Sequence, residues 1–276
     1  MLYAEDEVTQ APIVAEKRLR EILKQTYGII GGRFCSLTGY EDNNIRLEDV
    51  QWEDEVAKGK PHSVVVKVTN PVEARDTSVI DAQYEVCQLL AEHDIPTPIP
   101  VHTKEDELWS LEFVTPKVSL PVRVYEIMPG KNLENFDYSM ELVADIGQML
   151  ARVHAVFDTF DHPPSHVPFI SPENILCMRR EITKLRSSGI IDEEKNALVD
   201  RAFDELEKEI FKKRHLFEEG LIHSDFNETN LLLVEKDGHL SISGVLDFGD
   251  MHISLRVFDV AAAILYLHLS DRKKSP

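Results

Sequence analysis

Residues 222–249, IHSDFNETNLLLVEKDGHLSISGVLDFG, constrain the fold of this chain more than any other stretch. Two apolar runs, 230–236 and 240–248, flank Asp237-Gly238, a pair that signals a tight hairpin turn. A hairpin returns its far end to where it began. The polar residues His223, Asp225 and Asn230 ahead of the first run should therefore meet Asp247-Phe248-Gly249 behind the second. Asp and Asn also favour turns through local side-chain bonds to backbone, which would explain each residue taken singly.

Upstream, 63-SVVVKVTN-70 is β-branched and reads as a strand carrying Lys67. Residues 76–94 read as a helix with Asp76 or Thr77 as cap, an inward stripe of Ala82, Val86, Leu89 and Leu90, and Glu85 at its rim. Alone, Lys67 suits an edge strand, Glu85 a solvated helix face, and His223-Ser224-Asp225 half of a metal site with no second half in the sequence. Taken in order, strand lysine, helix glutamate, His-x-Asp-x4-Asn and Asp-Phe-Gly are the parts of a protein-kinase-like phosphotransferase.

Phosphoryl transfer passes through a loose, highly charged transition state, so the protein's work is positioning and neutralisation. Asn230 and Asp247 offer hard oxygen ligands for Mg²⁺. Asp225 is the expected catalytic residue, orienting the acceptor hydroxyl and taking its proton late. Lys67 would serve the phosphates of the nucleotide, and Glu85 would hold Lys67 by an ion pair. His223 is expected to buttress the loop, and His154 to be a packed, hydrogen-bonded core histidine. No G-x-G-x-x-G precedes Lys67. The nearest candidate for a phosphate-covering loop is 36-SLTGYEDNNIRL-47, where Gly39, Asn43 and Asn44 could present backbone N–H groups; an ordinary turn explains them equally.

The 276 residues carry 43% hydrophobic and 29% charged residues, enough for a substantial core. A net charge of −19 excludes a basic nucleic-acid footprint. Cys35, Cys87 and Cys177 are too few and too scattered for a disulfide framework, and the start MLYAEDEVTQ is acidic where a signal peptide is basic. The apolar run 260-VAAAILYL-267 is too short to span a bilayer. A cytoplasmic protein without nucleic-acid or membrane partners is expected. Strand candidates dominate up to residue 128, and helical stretches at 139–157, 172–188 and 192–220 dominate beyond. Two domains are therefore expected, 1–128 for nucleotide binding and 129–276 for catalysis, in an α+β architecture.

In 125-YEIMPGKNL-133, 150-LARVHAV-156, 223-HSDFNETN-230 and 246-LDFGDMHISLRVFDVA-261 the chain resembles the aminoglycoside-phosphotransferase and choline-kinase branch of the kinase-like fold. The resemblance covers roughly residues 15–270. It implies a bilobal fold, a hinge where Glu126 and Met128 meet the nucleotide, and Asp259 bracing the catalytic loop. Within that branch, Asp225-Phe226-Asn227-Glu228 and Phe248-Gly249-Asp250-Met251 are most similar to hydroxylysine kinases. That implies GTP-dependent phosphorylation of 5-hydroxy-L-lysine in lysine catabolism. ATP as donor, or another hydroxylated amine such as choline, homoserine or an aminoglycoside as acceptor, stays open. Family members continue for several helices past the Asp-Phe-Gly segment, so a shortened form is expected here, ending in the polar 270-SDRKKSP-276. A nucleotide-binding but inactive variant is the alternative reading.

Overall fold

The computed structural model describes residues 10–37, 39, 41–161, 163 and 171–274. Thr38 and Tyr40, within the candidate phosphate-covering stretch, lie outside the described residues, as does the acidic start of the chain. The chain divides into two compact units, Met1–Gly130 with Ser243–Leu246, and Lys131–Ile242 with Asp247–Pro276.

The first unit is built on a five-stranded sheet in the order β1-β2-β3-β5-β4, from β1 (Ile29–Ser36), β2 (Asn43–Trp52), β3 (Val64–Val68), β4 (Trp109–Thr115) and β5 (Val118–Glu126). Every pairing is antiparallel. Successive strand residues face opposite sides of a sheet, and β3 obeys this strictly. Val64, Val66 and Val68 are fully buried, while Val65 and Lys67 point the other way. The valines join Leu47, Val122, Val124 and helix α1 (Glu16–Ile22) in one apolar core. Helix α1 is short. After Ile22 it widens into a π-type turn over Leu23–Tyr27 and stops at Gly28, whose left-handed φ of 75° glycine adopts at no steric cost.

Helix α2 (Ser78–Glu92) has the expected buried positions Ala82, Val86 and Leu90, with Glu85 exposed. Asp76 Oδ1 accepts from the Ser78 N–H at 3.1 Å. The proline-punctuated stretch 95–101 is extended, as proline requires, and lies along β5. Val101 N–H donates to Val124 O at 2.8 Å, and Glu126 N–H to Ile99 O at 2.9 Å.

In the second unit, α3 (Met140–Phe157) begins at Ser139, whose hydroxyl accepts from Leu142 N–H at 3.1 Å. Its stripe of Leu142, Ile146, Met149, Leu150, Val153 and Phe157 is buried. The helix expected over 172–188 opens instead as a 3₁₀ stretch, Pro172–Met178, before α4 (Arg179–Ser187). The long pattern over 192–220 also divides, into α5 (Glu193–Glu209), a 3₁₀ stretch Phe211–Leu216 and strand β7 (Glu219–Ile222). Two-residue β6 (Lys131–Asn132) pairs with β8 (Leu231–Lys236), which shares a sheet with β9 (His239–Val245). The turn between β8 and β9 is the expected one, with Asp237 and Gly238 at φ 54° and 78°. Strand β10 (His252–Leu255) pairs antiparallel with β7. Helix α6 spans Arg256–Lys274 and takes in most of the polar tail that begins at Ser270. Among the described residues no helix is long and apolar enough to cross a membrane.

Leu47 is fully buried against β3 and α1. Leu47→Ala should lower the unfolding free energy by about 3 kcal/mol in a urea titration. A loss under about 1 kcal/mol would remove Leu47 from the core.

Candidate active site

The loop between β7 and β8 is fixed from outside itself. Asp259, in the first turn of α6, has no solvent exposure. Its Oδ2 accepts the His223 N–H at 2.8 Å and its Oδ1 the Ser224 N–H at 2.6 Å. His154 of α3 donates from Nε2 to the same Oδ2 at 2.8 Å. Charge-assisted bonds of this kind are roughly twice as strong as neutral ones. His154 is thus the hydrogen-bonded core histidine its sequence position suggested. Ser224 stands at φ 71°, a left-handed conformation that bulky residues rarely adopt, and the bond to Asp259 compensates part of the strain.

That turn projects Asp225. Its N–H donates to His223 Nδ1 at 3.3 Å, and the fully buried His223 ring packs against Phe226 and Phe248, with centroids 5.6 and 4.9 Å away. His223 acts as a buttress. The Asp225 carboxylate receives one bond per oxygen, from Asn227 Nδ2 at 2.6 Å to Oδ1 and from Asn230 Nδ2 at 2.7 Å to Oδ2. Asn227 Oδ1 in turn caps the turn that follows, accepting from the N–H groups of Thr229 and Asn230 at 2.9 and 3.1 Å. Asn227 went unremarked as a functional residue in the sequence reading, though its place inside the motif was signal enough.

Burial raises the pKa of Asp225, and the negative charge of Asp247 raises it further; His223, Asn227 and Asn230 pull it down without cancelling the rise. Asp225 and Asp247 are therefore close enough to interact, as the hairpin geometry requires. Asp247 itself is exposed, at φ 60°, and its Oδ1 accepts from Gly249 N–H at 3.4 Å. Asn230 spends its amide N–H₂ group on Asp225, donating to the backbone O at 2.9 Å as well as to the carboxylate. That orientation leaves its side-chain oxygen for another ligand. With the Asp247 carboxylate this makes a pair of hard oxygen donors that suits a divalent cation. Among the described residues, no group of three or more His, Cys, Asp or Glu side chains is arranged to hold a metal ion.

Two further side chains of this unit were not anticipated. Tyr266 of α6 has its hydroxyl pKa raised, by burial first and then by the charges of Asp225, Glu228 and Asp250. Glu228 is buried, with Oε2 unpartnered among the described residues. Three carboxylates, those of Asp225, Glu228 and Asp250, thus act on the Tyr266 hydroxyl. Position 266 gave no sequence signal, because its nearness to residue 225 arises only when α6 folds back.

In the first unit, Lys67 Nζ lies 2.8 Å from Asp42 Oδ2. Glu85, the expected partner, stands exposed on α2, while the Asp42 carboxylate beside Lys67 comes from the turn before β2. Glu126 and Met128, expected to meet the nucleotide, are half-buried at the end of β5 and just beyond it. In the β3–β5 register Lys67 faces Arg123 and Val64 faces Glu126. Lys67 and Glu126 are thus about three residues apart along the sheet, roughly 10 Å. Gly39 belongs to the candidate phosphate loop, where a Cβ would come within 2.5 Å of Asp42 O, so only glycine fits the turn as built.

The sequence profile of the phosphotransferase enzyme family (APH) matches residues 39–273. Hydroxylysine kinase of Mus musculus is 25% identical over 282 residues, covering 97% of this chain and 73% of that protein. Hydroxylysine kinase of Danio rerio is 27% identical over 275 residues, covering 94% and 72%. Among solved structures, a microcompartment-associated aminopropanol kinase superposes with a TM-score of 0.69 at 15% identity, over 95% of this chain and 82% of the other. Amicoumacin kinase, solved with AMP-PNP and Ca²⁺, gives 0.65 at 16% over 91% and 69%. The GDP complex of an aminoglycoside 2'-phosphotransferase gives 0.64 at 17% over 93% and 79%. The expected α+β, aminoglycoside phosphotransferase-type fold is borne out by these likenesses.

The raised pKa of Asp225 has a consequence for stability. A carboxyl group whose folded pKa exceeds its unfolded value opposes folding once ionised, so the penalty is absent below about pH 4 and grows as pH rises through the folded pKa. The stability of Asp225→Asn relative to wild type should therefore improve between pH 4 and pH 7 in paired denaturant titrations. A difference that stays flat, or moves the other way, contradicts the assigned shift.

Proposed function

Since the chain belongs to the phosphotransferase enzyme family, we propose that it transfers the γ-phosphoryl group of a nucleoside triphosphate to the hydroxyl of a small hydroxylated amine, with 5-hydroxy-L-lysine as acceptor and GTP as donor. The observation that carries the reading is the Asp225 carboxylate, aimed by Asn227 and Asn230 and raised in pKa. A carboxylate of raised basicity accepts a proton from an alcohol more readily, yet an alcohol is a far weaker acid. Asp225 therefore orients the hydroxyl oxygen and takes its proton late, as the new P–O bond forms and the bond to the nucleoside diphosphate breaks.

Lys67 supplies positive charge to the nucleotide phosphates, and the end of β5 at Glu126 and Met128 meets the base. Asn230 and Asp247 would hold Mg²⁺, which when bound neutralises charge on the phosphates. The charges of Glu228 and Asp250 near Tyr266 and Asp225 favour an acceptor carrying an ammonium group over an anionic one. Hydroxylysine is such an acceptor, and the similarity to hydroxylysine kinases of two vertebrates supports it. GTP is preferred on that similarity, and ATP is the rival donor. The unbridged Cys35 and Cys87 accord with a reducing, cytoplasmic setting.

Purified protein incubated with Mg²⁺ and either GTP or ATP, across a panel of hydroxylated amines, tests the reading. Hydroxylysine with GTP should give the highest kcat/KM, and Asp225→Asn should lower kcat by about 100-fold or more. Faster turnover of choline, homoserine or an aminoglycoside would move the acceptor assignment. Equal rates for wild type and variant would end the role given to Asp225.

A further inference from the structure

A lysine on a flexible four-carbon stem needs an anchor before it can meet a phosphate reproducibly. Here the anchor is unusually well built. Asp42 is 6% exposed and closes the turn that leads into β2. Its Oδ2 lies 2.8 Å from Lys67 Nζ. Its Oδ1 accepts both the N–H and the Nδ2 of Asn70, at 2.7 and 3.0 Å. Asn70 is itself fixed, because its Oδ1 accepts from the Val72 and Glu73 N–H groups at 3.0 Å each. Behind the pair stands Arg123, 1% exposed, with a guanidinium nitrogen 3.8 Å from Asp42 and another donating to Gln83 Oε1 at 2.7 Å.

Strand register explains how a residue so far away in sequence reaches the lysine. Asn44 of β2 lies opposite Lys67 of β3, and Lys67 opposite Arg123 of β5, so all three share one face of the sheet. Asp42, two residues before Asn44, comes off the end of the neighbouring strand onto that same face. Burial works against its charge, but Lys67, Arg123 and Asn70 outweigh it and hold the carboxyl below the usual range. Glu85, on α2, is exposed.

We propose that Asp42 is the positioning residue for Lys67, in the place that a carboxylate from the following helix was expected to fill. The inference rests on the reading of Lys67 as a phosphate-contacting residue.

The test compares the affinity of the protein for GDP and ADP with that for guanosine and adenosine, by calorimetry, in wild type, Asp42→Asn, Lys67→Met, the double variant and Glu85→Gln. Asp42→Asn should weaken diphosphate binding about tenfold or more while leaving nucleoside binding as it was. The double variant should lose little beyond Lys67→Met alone, because the two residues act as a unit. Equal losses for diphosphate and nucleoside would make Asp42 merely structural and overturn the proposal, as would a larger loss in Glu85→Gln than in Asp42→Asn. A wild type that binds diphosphates no better than nucleosides refutes the reading of Lys67 itself, a separate outcome. Should Asp42→Asn yield no folded protein, Asp42→Glu, which keeps the charge but moves it by one methylene, supplies the same ratio; an unchanged ratio there is also fatal to the proposal.

Discussion

One carboxylate organises the second unit. Asp259 accepts two consecutive backbone N–H groups and a histidine N–H, all within 2.8 Å, in a place no water reaches. Buried backbone donors that lose their acceptor cost about 1–3 kcal/mol each, and a buried carboxylate without donors costs more still. Loop, helix α6 and helix α3 are therefore bound to one another's presence. The position of Asp225 is inherited from this arrangement, two residues along from a peptide that cannot move.

The same logic runs in the first unit with the charges exchanged. There the group proposed to meet the phosphates is a cation, Lys67, and beside it stands an anion, Asp42, with a buried guanidinium behind it. In each unit the group proposed to touch substrate is partly exposed while the group that holds it is buried. Burial strengthens electrostatic interactions by lowering the local dielectric, so the supports are placed where they are strongest. The reactive groups stay where solvent and ligand can reach them.

Much of this was legible in the sequence, for reasons that are local. The Asp237-Gly238 turn fixed the hairpin, and the hairpin fixed the meeting of Asp225, Asn230 and Asp247. The β-branched run around Lys67 gave a strand, and a stripe at helical spacing gave α3. Other features could not be read because their causes are distant. Asp42 reaches Lys67 through the pairing of β2 with β3, a register that a single strand does not encode. Four-residue strands such as β7 and β10 are too short for periodicity to show, and they exist through each other. The patterns over 172–188 and 192–220 are helical in composition, yet they divide at Met178 and after Glu209, where composition carries no signal. Glu85 matched a pattern by its sequence position, and it stands exposed on α2.

The backbone at two positions beside the candidate chemistry sets limits on how this sequence can drift. Ser224 and Asp247 both sit at positive φ, 71° and 60°. Glycine, asparagine and aspartate tolerate that region, and β-branched residues do so poorly. At 224, where the side chain has no assigned role, exchange with glycine or asparagine is open to inheritance while valine, isoleucine and threonine are closed. At 247 the requirement for an oxygen donor narrows the permitted alphabet to almost a single letter. Two codons are thus policed by torsion as much as by chemistry.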